Sequence, residues 1–65
     1  MDQVEKTIEE AYQAHLAALY QVLSQAILAA NGDGEEVSAA EDRYKQGLAH
    51  AADVRTRARA AAGIS

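Results

Sequence analysis

The chain has 65 residues, no cysteine and no proline, a hydrophobic share of 49% in which alanine dominates, and a net charge of −4. These numbers leave room for one domain at most, exclude disulfides and thiolate chemistry, and disfavour wholesale attraction to nucleic acid. A chain this short hides only about 60% of its unfolded surface, so metal binding or self-association is left to complete a marginal core. Phenylalanine and tryptophan are also absent. An alanine-rich, proline-free composition suits long helices and argues against a sheet.

The first helix is expected over about residues 2–31. Asp2 followed by Glu5 has the spacing of a capping box, in which the Asp side chain accepts a free backbone N–H and the Glu reaches back to another. Val4, Ile8, Tyr12, Leu16, Leu19, Leu23 and Ile27 then recur three or four apart, the period of a helix face. With Tyr20 they cover roughly 160° of the helical cylinder, more than one partner helix can hide. That width predicts a surface (Ile8, Tyr12, Leu16, Leu19, Tyr20, Leu23, Ile27) that meets a second hairpin or another protein. The most apolar stretch, Ala14 to Ala30, contains His15, Gln21, Ser24 and Gln25. It is short for a bilayer span of roughly 20 apolar residues, so no membrane partner is expected.

Asn31-Gly32-Asp33-Gly34 ends the periodicity. Gly32 suits the left-handed residue that stops a helix, Gly34 is expected to loosen the turn, and the chain reverses at about 31–34. A second helix follows over about 35–62. It is capped by Asp33 with Glu36 in preference to Ser38 with Glu41, and Glu35 and Glu36 favour its positive dipole end. Val37, Ala40, Tyr44, Gly47, Ala51, Val54, Ala58 and Ala61 follow a heptad of mostly small side chains, against which large residues of the first helix can pack closely. Gly63 is the expected C-cap, with Ile64 and Ser65 frayed beyond it. The whole of 1–65 thus reads as one all-α domain, an antiparallel helical hairpin that dimerises into a four-helix bundle.

With the turn at Asp33, facing residues should have numbers summing to about 64–66. That places Ile27 near Val37, Tyr20 near Tyr44, Leu16 near Leu48, Tyr12 near Val54 and Ile8 near Ala58. It also sets Glu9 and Glu10 opposite Arg55, and Glu5 opposite Arg59. Arg55, Glu5 and Glu9 fall within the apolar arcs, so these ion pairs are read as register devices rather than as a basic strip for phosphate. Arg57 points to the opposite face.

His15 and His50 sum to 65 and are expected as neighbours. With Asp53, three residues beyond His50, they form a conceivable two-histidine, one-carboxylate metal site. Neither has the Glu three residues earlier that marks metal sites in helix bundles: Tyr12 and Gly47 stand there instead. Boundary histidines hydrogen-bonded to a neighbour are the preferred reading, and no cofactor is expected. Tyr12, Tyr20 and Tyr44 read as core-edge residues with their hydroxyls at the rim. No serine stands in a nucleophile turn and no glycine loop can cradle phosphate, so catalysis is not expected.

In length and hairpin plan the chain resembles the plasmid-encoded Rop proteins. That resemblance covers architecture, with no motif matched residue by residue, and it implies a nucleic-acid-binding regulator. Against this, Lys6 is the sole cation of the first helix. The reading preferred here is a non-catalytic interaction protein that pairs with itself or serves a larger protein as a small adaptor or inhibitor subunit. The acidic start, Met1-Asp2-Gln3-Val4-Glu5, carries none of the Lys or Arg of an export signal, so a cytoplasmic setting is expected.

Overall fold

A computed structural model describes residues 3–64. Helix α1 runs over Gln3–Ala30 and helix α2 over Gly34–Ala61, packed against each other as an antiparallel hairpin. No strand occurs among the described residues. The hairpin is a rod of 46 × 15 × 10 Å with a radius of gyration of 14.9 Å, against about 11 Å for a compact domain of this length. Asp2 of the expected first capping box, and Ser65, lie outside the described residues.

The reversal uses two left-handed residues, where the sequence argument asked for one. Asn31 has φ 52° and Gly32 has φ 89°. Asparagine tolerates this conformation better than other residues that carry a side chain. The Asn31 N–H donates to the Leu28 carbonyl at 3.2 Å and the Asp33 N–H to the Ala30 carbonyl at 2.9 Å, which closes the end of α1. Asp33 is extended (φ −74°, ψ 111°), and its Oδ1 accepts from the N–H groups of Glu35 at 3.0 Å and Glu36 at 3.3 Å. That is the geometry of an N-cap, and it makes Gly34 the first residue of α2 rather than a loosening element of the turn. Ser38 and Glu41 lie inside the helix.

The far end of α2 is tied down more firmly than the sequence suggested. Gly63 takes φ 80°, its N–H donates to the Ala60 carbonyl at 3.1 Å, and the Ile64 N–H donates to the Arg59 carbonyl at 2.8 Å. This 6→1 and 5→2 pair of bonds is a Schellman motif. Ile64 is therefore held and half-buried rather than frayed.

Packing between the helices is thin. Among the described residues only Ala30, Ala40 and Ala51 are buried, and no large side chain is fully enclosed. Ile8, Tyr12, Leu16, Leu19 and Leu23 are half-buried against α2. The inward line of α2 also departs from a strict heptad. Val54 and Ala61 are exposed, while Leu48, Arg55 and Arg59 turn inward. A straight α-helix drifts by about 20° per heptad relative to a seven-residue repeat, so a long uncoiled helix rotates its contact line off the a/d positions. Gly47 marks a close approach. A Cβ there would lie 2.7 Å from Leu19 Cδ2 and 3.3 Å from Cδ1, so the glycine makes room for the leucine tip.

This close approach sets up a double-mutant test. Alanine is favoured over glycine in a helix by about 1 kcal/mol. Gly47→Ala in the parent chain should lose most of that gain to the displaced leucine, whereas in a Leu19→Ala background it should recover it. Urea melts of the four chains should give a coupling of about 0.5 kcal/mol or more.

Candidate interaction surface

The best-defined polar feature is a ladder of side chains that bridges the open end of the hairpin. Arg55 Nε donates to both oxygens of Glu9, at 2.9 Å and 3.1 Å, and Arg59 Nη1 donates to Glu5 and to Glu9, each at 3.2 Å. All four groups are part-buried. The Arg55 guanidinium also stacks over the Tyr12 ring, 5.2 Å from its centroid, a cation–π contact. Glu9 thus takes two arginines, while Glu10, also set opposite Arg55 by the register, is exposed.

The hydrogen bond from Arg55, reinforced by the charges of Arg55 and Arg59, holds the Glu9 carboxyl below its ordinary pKa of 4.5, against a smaller opposing effect of burial. The same bond to Glu9 raises Arg55. Arg57, on the outer face, pairs with Asp53 four residues earlier at 2.8 Å, and both side chains are exposed. Isolated helical pairs of this kind contribute little.

His15 and His50 are brought together, their rings edge to face with centroids 6.2 Å apart. Asp53 is not brought to them, since its carboxylate is held by Arg57. Among the described residues no group of three histidines and carboxylates is placed to hold a metal ion. Three of the six basic residues, Arg55, Arg57 and Arg59, are paired with carboxylates of the chain.

The surface that asks for an explanation is α1. From Ala11 to Gly32 it has no Asp, Glu, Lys or Arg, yet Tyr20 and Val22 are each 64% exposed, Leu28 81% and Ile27 40%. Large apolar side chains left in water on more than one side of a helix mark surface available for association. Shallow grooves line both edges of the hairpin. On one edge they run past Ile8, Ala11, Val54 and Ala58, then Val22 and Ala26, then Ala29, Ala39 and Arg43. On the other, Tyr20, Leu23, Ser24 and Ile27 form a groove on α1 itself.

Two of these features escaped the sequence reading. The stack of Arg55 on Tyr12 was within reach of the register rule, because the two numbers sum to 67. The Asp53–Arg57 pair has a plain i,i+4 spacing. No helix of the described residues is long and apolar enough to cross a membrane. Comparison of the chain with family models, with curated proteins and with solved structures finds no match.

The ladder predicts unequal losses. Arg55→Ala should lower the melting midpoint by about 3 °C or more, and Arg57→Ala by about 1 °C or less. A pH effect follows from Glu9. Its folded pKa lies below its unfolded one, so its contribution is complete above the unfolded value and is lost as pH falls through the folded value. Thermal melts between about pH 5 and about pH 3 should show a decline in stability that Glu9→Gln makes shallower.

Proposed function

We propose that the chain is a non-catalytic protein–protein interaction module that completes its core as a homodimeric four-helix bundle, in a cytoplasmic setting. One observation carries the reading: α1 exposes large apolar side chains and offers no charge from Ala11 to Gly32, while α2 covers one side of it only. Contiguous apolar surface on a small protein is a site of association. The surface of the hairpin is in keeping. It exposes 4746 Å², against about 4,000 Å² for a compact monomer of this mass.

Self-association is preferred over a catalytic reading because the grooves are shallow and open, and because the strongest polar cluster is an internally satisfied ion ladder. It is preferred over nucleic-acid binding because half of the basic residues are neutralised within the chain. Leu28, the most exposed of the large apolar side chains, lies outside the grooves and favours a further contact with a larger protein.

Sedimentation equilibrium should give twice the chain mass, and the melting midpoint should rise with protein concentration, as mass action requires of a dimer that unfolds to monomers. A rigid monomer whose cooperative melt is independent of concentration would overturn the proposal.

A further inference from the structure

We infer that the second copy packs on the edge of the hairpin that carries Val22, with the two turns at opposite ends of the bundle and α1 lying antiparallel on its counterpart. This rests on the self-association reading above and adds the face, the orientation and the register.

The face follows from where charge lies. Along the Val22 edge, α1 presents Thr7, Ala11, Ala18, Val22, Gln25 and Ala29, uncharged over its full length. Only Glu36, Arg43 and the inward-turned Arg55 are charged among the residues that line its grooves. The opposite edge carries the Glu5, Glu9 and Arg59 ladder, with Lys6, Glu41 and Lys45 on the same side by helical spacing. Burying that edge would strip water from several ions, a heavy cost that the Val22 edge largely avoids.

The orientation follows from how charge is divided between the ends. A hairpin can meet its copy face to face with two-fold symmetry in two ways. With the turns together, α1 lies over the partner's α2; with the turns apart, α1 lies over the partner's α1 and α2 over α2. Around the turn, Asp33, Glu35, Glu36, Glu41 and Asp42 against Arg43 and Lys45 leave −3. At the open end, Lys6, Arg55, Arg57 and Arg59 against Glu5, Glu9, Glu10 and Asp53, with Asp2 next in the sequence, leave −1. Turns together set −3 beside −3, whereas turns apart set each acidic turn beside the partner's open end, where the internally paired charges leave only −1.

The register then follows from the midpoint of α1, which falls between Leu16 and Ala17. Facing α1 residues have numbers summing to about 33, which sets Val22 over the partner's Ala11, Thr7 over Ala26, His15 over Ala18 and Gln25 over Ile8. Val22 enters the groove walled by the partner's Ile8, Val54 and Ala58. Each chain exposes about 700 Å² more than a compact monomer would, close to the roughly 800 Å² that each side of a standard interface buries.

The chain has no native cysteine, so Glu35→Cys takes a single nitroxide label beside the turn. Pulsed electron paramagnetic resonance should report an inter-copy distance of about 40 Å, against under about 20 Å with the turns together. Val22→Arg should weaken dimerisation at least about 100-fold, while Tyr20→Ser and Leu28→Arg each change it less than about 3-fold. A stable dimer with the short distance, or one broken by Tyr20→Ser and untouched by Val22→Arg, would overturn this arrangement and leave self-association standing. A monomer would overturn both.

Discussion

Two α-helices laid side by side share a single line of contact, and a line of contact cannot enclose a side chain on all sides. Only residues small enough to sit between the backbones vanish from water, which is why the buried residues among those described are three alanines. Every larger apolar side chain keeps a face in solvent. The rest of the structure is arranged around that constraint: the helices approach closely where glycine and alanine allow it, and polar side chains bridge the end where they cannot.

The division of labour between the helices follows. α2 is charged on its outer face, with acids at its start and Arg59 in its last turn, as a solvent-facing helix with a favourable dipole should be. α1 keeps its charges to the first two turns and then presents apolar, alanine and glutamine surface all round. The Glu5–Arg59–Glu9–Arg55 ladder acts mainly on specificity. It sits beside the alanine-rich end of α2, Ala58 to Ala62, where a slide by one turn would otherwise exchange alanine for alanine with little change in packing.

Much of this was legible in the sequence because the informative residues act locally or through one simple rule. Gly32 and Asp33 signalled the reversal and the cap, Gly63 the C-terminal stop, and antiparallel counting brought His15 to His50 and Glu9 to Arg55. What was missed depends on accumulated geometry. The heptad of α2 placed Val54 and Ala61 inside, and the drift of a straight helix left them exposed, while Leu48 and Arg55 turn inward as the register and the apolar arc required. Asn31 supplied a second left-handed residue that no spacing rule requires. The contact between Gly47 and Leu19 depends on the distance between two backbones, which no single-helix pattern encodes. The histidines were placed as neighbours, yet Asp53 had a nearer claimant in Arg57, so proximity along one flank did not make a ligand set.

The open end of the rod has a consequence for how such a unit can be used. Gln3 and Ile64 lie at the same pole, with the turn at the other end of the 46 Å long axis. Anything joined to either terminus would therefore leave by one door, and the loop would stay clear of it. In a two-fold pair with its turns at opposite ends the two doors face in opposite directions, so the bundle would hold its two passengers apart by its own length, as a strut does.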